Sequence, residues 1–564
     1  MALNDYGVNF NGRRIVHPGA YDSIDASAMT AVTPGGLNLP VVVGKALAGK
    51  AGEIKYFSGT DTAREYLRGG DLMTALELMF SPTPEGGGGA SRVGVVVANE
   101  TTQAAVTAGG IEQKSVEYGD GGNRILAKLE AGTITGSKKY TVTRWDLDKA
   151  EVYDNVGAVI DLEYTGADAY AVVTVTVVDS KATKITVETG VDAAAATVDL
   201  EINLTTGQFA TIDDVIAHIS GVSGYTAKFV ELASAGLDVT KLDAVADVNI
   251  KTGGYLKAVK ADLEYRVNNN SELVSVEVGG AITDFDSTYL TGGSVGTTPS
   301  SWSAYFDTIK RQFSDILVVL TDDASIHAEA LSHVGVMERR NQKQLLFVGG
   351  GVNESITAVK QRAAAMNSSR AVVAYPGIYH RAHQGGLVPL PAFFTAAMLA
   401  GRVAGLPASE PITFDYFSIL GLEKELLAGD PEVDDLITSG VATLERVQNG
   451  GFRLVQGITS YLGGNNTLYR EISVRRGADS LSERVRKTLE DRFVGKKGLR
   501  ATSASVTTAT IDILEQAIKD GDITSYRNIV VRVVGTVIYV DYQVAPAEPT
   551  NYILVTSHFV PETV

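Results

Sequence analysis

Cysteine is absent from this 564-residue chain. That absence excludes a disulfide framework, a thiolate zinc or iron–sulfur site, and a cysteine nucleophile. Long apolar runs are also missing. The longest, residues 171–178 and 391–400, fall well short of the roughly 20 residues needed to cross a bilayer, so no membrane insertion is expected. The first nineteen residues are polar, and Arg13 and Arg14 are followed by no apolar segment, so they do not form a secretion signal. Positive charge is in short supply: 49 basic against 66 acidic side chains give −17. Nucleic acid and anionic membrane both need local positive potential, so the surface as a whole is a poor binder of either. What is present is a 45% hydrophobic composition with 59 glycines, incompatible with global disorder. The length corresponds to about three or four folding units.

The chain reads as three unlike thirds. A short apolar strand, Val41-Val42-Val43, is followed by a helical stretch over 62–80, then Ser81-Pro82-Thr83-Pro84-Glu85 with four glycines, and an apolar strand over 93–98. From Asn99 to Thr298 the texture becomes period-two alternation, cleanest in Val198-Asp199-Leu200-Glu201-Ile202-Asn203-Leu204, which predicts one or two mainly antiparallel β modules. One helix is expected there, capped by Thr211 with Ile212, Val215, Ile216 and Ile219 as its apolar stripe. From Ser300 helices and buried strands alternate, which implies a parallel or mixed sheet covered on both faces. Asp430-Pro431 opens a helix with Val433, Leu436, Ile437, Gly440, Leu444 and Val447 turned inward. In the last hundred residues, Ser480 to Glu483 reads as a capping box starting a helix through Leu481, Val485, Leu489 and Phe493. A second helix, two strands about Gly535-Thr536, a proline-rich spacer and a final strand over 552–559 complete the chain. A terminal strand on such a spacer can pair with its own sheet or reach a neighbour's edge.

Few motifs carry chemistry. Gly44-Lys45-Ala46-Leu47-Ala48-Gly49-Lys50 follows a strand and matches a phosphate loop up to its lysine. Ala51 stands where serine or threonine would ligate magnesium, and Gly52 discourages the helix that should face the phosphates, so a plain glycine-rich turn is the stronger reading. Gly349-Gly350-Gly351 lacks the spacing of a dinucleotide fingerprint. His380 and His383 sit three apart in a loop without a nearby carboxylate, His333 lies on an apolar helical face, and Asp323 near His327 reads as a helix cap. No catalytic residue, cofactor or metal is expected. The segment 470–500 carries ten basic residues against five acidic ones, a local +5 that leaves −22 to the rest. It is either a solvated helix face with internal pairs such as Glu483 to Lys487, or a docking face for an acidic partner.

Several segments in order resemble the contractile tail sheath proteins of bacteriophages. They are His17-Pro18-Gly19-Ala20-Tyr21, Val41-Val42-Val43-Gly44, Ala46-Leu47-Ala48-Gly49, Tyr375-Pro376-Gly377, Met398-Leu399-Ala400-Gly401-Arg402-Val403-Ala404-Gly405, and the closing Val540-Asp541-Tyr542-Gln543-Val544-Ala545-Pro546-Ala547-Glu548-Pro549 with Tyr552-Ile553. The match covers both ends and the α/β third, and leaves out the β insertion. The resemblance implies a multidomain α+β and α/β protein: an N-terminal linking arm (1–30), a discontinuous α/β sheath core (31–98 and 301–469), an outward-facing β-rich insertion (99–300), a small tube-proximal α/β domain (470–544) and a C-terminal linking strand (545–564).

Its implied function is structural, with no enzymatic activity. Subunits of this kind form hexameric rings stacked as a helix around an inner tail tube, and contract to drive the tube through the host envelope. The implied partners are further copies of the chain, the tail tube, and baseplate and terminator proteins, within a virion tail assembled in the host cytoplasm. Arg475, Arg476, Arg484, Lys487, Arg492, Lys496 and Lys497 are the expected contact face for the tube or a neighbour. Tyr552, Ile553, Leu554 and Val555 are the expected exchanged strand. Two rival readings are a phosphate- or nucleotide-handling enzyme at Gly44–Lys50 and a surface-layer or adhesin-type protein, which should carry an export signal.

Overall fold

Four consecutive apolar residues leave a strand no wet face, so such strands lie inside a sheet covered on both sides. The runs Pro40–Gly44, Ile316–Val319, Leu345–Gly349 and Ala371–Tyr375 behave this way in a computed structural model, where every one of their residues is buried. The structure describes residues 8–10, 13–15, 38–381, 385–448, 450–495, 502–534 and 537–558. By its internal contacts the chain divides into two units. One comprises 39–406 with 412–471, and the other 1–38, 407–411 and 472–564.

The first unit is built on a nine-stranded sheet. Its spatial order is Tyr416–Phe417, Phe452–Leu454, Val441–Arg446, Ala371–Tyr375, Leu345–Gly349, Ile316–Val319, Pro40–Gly44, Val93–Val97 and Ile54–Phe57. The central six run parallel, and the outer strands are antiparallel additions. One face is covered by Trp302, Tyr305, Phe306 and Ile309, by Ile326, Ala330 and Val334, and by Val359, Ala363 and Met366. Against the other face lies helix Ala392–Ala404, nearly all of it buried, which packs on helix Asp71–Phe80. At that crossing Gly401 faces the Met79 backbone so closely that a Cβ would run into it.

The insertion is two modules, one nested in the other. The inner has sheets of four strands (Lys149–Val156, Lys138–Arg144, Ile125–Ala131, Phe285–Tyr289) and three (Val274–Val278, Ile111–Tyr118, Gln103–Ala108), with helix Val259–Asn270. Between Val156 and Val259 the chain leaves it to form the outer module. There, strands Thr197–Asn203, Lys181–Gly190, Tyr170–Val178 and Val245–Asn249 form one sheet, and Tyr225–Phe229, Ala158–Tyr164 and Gly254–Lys257 another. The alternating strand faces of this module and the stripe of helix Ile212–Ser220 share a single core. At the neck, the Ala258 amide donates to the Gly157 carbonyl at 2.8 Å. The buried Asp262 carboxylate accepts from the Gly157 amide at 2.7 Å and from Ser234 Oγ at 2.5 Å.

The second unit pairs helices Ile472–Phe493 and Ser503–Lys519 with a long hairpin, Ile523–Val534 and Val537–Pro546, around Leu481, Val485, Leu514 and Ile523. Three sequence expectations need correction. The stretch 62–80 is two helices, Thr60–Leu67 and Asp71–Phe80, because Arg68, Gly69 and Gly70 all take positive φ. Ser480 starts no helix: Ile472, Val474 and Arg476 are already buried on the same helix one to two turns earlier, so the Ser-x-x-Glu pattern lies mid-helix. The helix at Pro431 ends at Thr438, where Gly440 turns with φ +76, and Leu444 belongs to strand Val441–Arg446.

Candidate interaction surfaces

A phosphate-binding loop works by presenting free backbone amides. In residues 44–52 five of them are committed. The Ala46 amide donates to Asn99 Oδ1 at 2.9 Å, Leu47 to the Gly69 carbonyl at 3.2 Å, Ala48 to the Leu67 carbonyl at 2.9 Å, Lys50 to the Tyr66 hydroxyl at 3.0 Å and Gly52 to the Val97 carbonyl at 3.0 Å. The Lys50 ammonium itself lies 3.3 Å from Glu53. The loop is a turn most of whose amides bind the protein itself, unlike the free amides of a phosphate cradle.

The carboxyl ends of parallel strands are the other usual ligand position in an α/β sheet. Here that crevice is filled by the protein's own charges. Arg362 pairs with Glu354 at 2.7 Å, donates to the Asp322 carbonyl at 2.9 Å and reaches His327. Glu354 lies over Gly350 and Asp322 over Gly351, each where a Cβ would stand. Burial, with Glu354 nearby, raises the Glu423 carboxyl above its ordinary range. Asp323 caps helix Ala324–Arg339 through the Ser325 amide. His380 lies on a short hairpin strand, Ile378–Arg381, rather than in a loop, and His383 falls outside the described residues. Among the described residues no group of three or more potential ligands could hold a metal ion.

The seven basic residues expected to form one face are not alike. Arg476 is buried and donates to Asn38 Oδ1 at 2.7 Å, and Arg475 lies 3.7 Å from Asp479 with little exposure. Arg484 turns inward to Asp520 at 2.7 Å and to Asp522. Lys487 is half exposed, in contact with Glu483 at 3.1 Å, and Arg492 is exposed. Arg486, counted in the basic segment but outside the expected contact set, is also on the wet side, paired with Glu490 at 2.9 Å. Lys496 and Lys497 lie outside the described residues. Helical spacing alone does not separate the two sets: Arg492, seven residues after Val485, falls on the stripe of Leu481 and Val485 yet is exposed in the last turn, while Arg476 lies off that stripe and is buried.

The final strand was expected over 552–559; residues 552–558 carry no regular structure here, and Phe559 lies outside the described residues. Tyr552, Ile553, Leu554 and Val555 are 78–95% exposed. Four apolar residues in water hold a strand only against a partner edge. The adjoining hairpin, whose two strands form a sheet of their own among the described residues, exposes Val530, Val533, Val534, Val537 and Tyr539.

With this geometry in view, the chain's relatives are informative. Residues 296–460 match the family model of the phage tail sheath protein central domain. The tail sheath protein of Bacillus phage SP01 is 56% identical over 100% of this chain and 99% of its own length. The tail sheath protein of Staphylococcus phage Twort is 26% identical over 92% of both chains. The fold is shared with the sheath tail protein of Listeria innocua, at TM-score 0.56 and 15% identity over 93% of this chain and 95% of that one. It is shared too with that of Desulfitobacterium hafniense, at TM-score 0.55 and 12% identity over 94% and 97%. A full-length relative at this identity, matching both halves of the discontinuous core and the insertion between them, removes the nucleotide-enzyme and surface-layer readings. The chain belongs to the bacteriophage tail sheath protein family, structural subunits of a contractile virion tail rather than enzymes.

Proposed function

We propose that the chain polymerises as a helix of hexameric rings around an inner tail tube, joins the baseplate at one end and a terminator at the other, and contracts to drive the tube through the host envelope. The observation that carries this is the exposed run Tyr552-Ile553-Leu554-Val555 beside a two-stranded hairpin. A two-stranded sheet offers an unpaired row of amides and carbonyls on each outer edge, and an extended apolar segment from another copy supplies the missing partner. Such a contact is heterologous: the strand leaves one copy and enters the next, so the assembly grows as an open helix instead of closing as a dimer. The N-terminal arm, with its small hairpin Val8–Phe10 and Arg13–Ile15, serves the same linkage. Lys487 and Arg492, with Lys496 and Lys497, form the contact face for an acidic tube or a neighbour. Assembly takes place in the host cytoplasm.

Electron microscopy of the purified chain tests the reading. Tubes of sheath diameter are expected from the full chain, and only monomers from a chain lacking 551–564, with unchanged thermal unfolding. A full chain that stays monomeric and also fails to coat tail tubes would sink it.

A further inference from the structure

The Gly44–Gly52 loop, empty of ligand chemistry, has another occupant. Asn99, at the point where the chain leaves strand Val93–Val97 for the insertion, is buried and reaches in three directions. Its Oδ1 accepts from the Ala46 amide, and its Nδ2 donates to the Ala46 carbonyl at 2.9 Å and to the Val295 carbonyl of the returning chain at 2.6 Å. Thr101 Oγ1 donates to the Gly49 carbonyl at 2.6 Å. Ala48 forms an antiparallel bridge with Gly119, whose φ of +110 and lack of a Cβ let it sit against the Leu47 carbonyl. Both connecting segments and one turn of the insertion's inner module are thus seated on this one loop.

Beside the seat runs a chain of charges that crosses the same junction. Arg68, which ends helix Thr60–Leu67 in the core, lies 3.2 Å from Glu117 of the insertion. Glu117 pairs with Arg144, whose side chain is 3% exposed, and Arg144 Nε donates to Asp146 at 3.0 Å. Asp146 also accepts from Arg124 at 3.2 Å. Gly121 leaves the space that Glu117 and Arg144 occupy. Ion pairs this dry add little net stability, because desolvation offsets their attraction. What they do supply is a geometry, since breaking one leaves a buried charge unpartnered. Next to them is an open cleft of about 590 Å³, with Lys50, Glu53 and Tyr66 on the core side and Leu147, Lys149 and Glu272 on the insertion side. That space is where the insertion would swing if its seat loosened.

We propose that the Gly44–Gly52 loop and the Arg68–Glu117–Arg144–Asp146 chain form a latch that fixes the angle of the insertion on the core, so that the two move as one body. The inference concerns the folded subunit and stands whether or not the chain polymerises. The cysteine-free sequence allows spin labels at Ser287→Cys in the insertion and Ser332→Cys in the core, both exposed sites. Electron–electron resonance should give a narrow distance distribution in this background and one at least twice as wide after Glu117→Gln. An unchanged width in a folded Glu117→Gln chain overturns the latch. Should that variant fail to fold, Thr101→Val, which removes a single hydrogen bond, decides by the same criterion.

Discussion

Nη1 of Arg362 donates a 3.0 Å hydrogen bond to Nδ1 of His327, while Nε2 of the same ring lies 2.7 Å from the Thr321 carbonyl. Guanidinium has no acceptor, so Nδ1 is unprotonated and Nε2 carries the proton. The ring is held neutral. Burial, and then Arg362, lower its pKa from 6.5 to about 4. Burial, and then Lys310, do the same for His333, also to about 4.

The first prediction follows from the sign of these shifts. Between pH 6.5 and about 4 the unfolded chain binds protons that the folded one refuses, so stability is complete above 6.5 and lost as pH falls through that window. Each histidine contributes a slope of about 1.4 kcal/mol per pH unit. Urea midpoints at pH 7, 6 and 5 should show it, with roughly half the histidine slope removed in His333→Leu. An identical slope in that variant would exclude His333 as a source.

Two glycine-to-alanine changes on helices should have opposite signs. Gly401→Ala drives a Cβ into the Met79 backbone and should cost about 1–3 kcal/mol as overpacking. Gly335→Ala on helix Ala324–Arg339 meets only Arg339 Nη1 at 3.8 Å, so up to about 1 kcal/mol of helix propensity should be gained. Chemical denaturation of both variants compares them directly.

Replacing residues 158–257 by a short glycine-containing turn should leave the rest folded, because the ends of the outer module are already hydrogen-bonded at Gly157 and Ala258. The Ser234 bond to Asp262 is lost, at a cost of about 1.5–3 kcal/mol for a bond to a charged group. The excised module, with its own core, should fold alone. Circular dichroism melts of both pieces test this. An unfolded remainder would mean the inner module needs the outer one.

Charge reversal separates the two kinds of arginine on helix Ile472–Phe493. Arg484→Glu removes the cation from Asp520 and Asp522, sets a third carboxylate beside them and should destabilise by about 3–5 kcal/mol. Lys487→Glu with Arg492→Glu should change stability by no more than about 0.5 kcal/mol each and weaken coating of an acidic tube. Normal tube coating by the doubly reversed chain would remove this face from the interface.

Much of this architecture is legible in the residues themselves. Doubly buried strands declare themselves as apolar runs, and Thr211 with Asp214 caps its helix as the spacing implies, the Thr211 amide donating to Asp214 Oδ2 at 2.9 Å. Other features depend on partners far along the chain. Nothing local in Gly44–Lys50 says that Asn99 and Gly119 will occupy its polar groups, and local charge counting cannot tell that Arg484 meets Asp520 while Lys487 faces water. Gly440 and the Gly69-Gly70 pair were the available signals for two misplaced helix ends, since both sit where apolar periodicity continues through a residue free to reverse the chain.

The pairing of Val41 with Leu317 in the central sheet has a consequence for synthesis. Strand Pro40–Gly44 leaves the ribosome long before strand Ile316–Val319, its neighbour on one side, and the whole insertion emerges between them. At about 5–20 residues per second that delay is on the order of 10–60 s, ample time for both insertion modules to fold first. The central sheet, and every surface it supports, therefore closes around a finished insertion, late enough that a half-made chain presents no complete subunit to its neighbours.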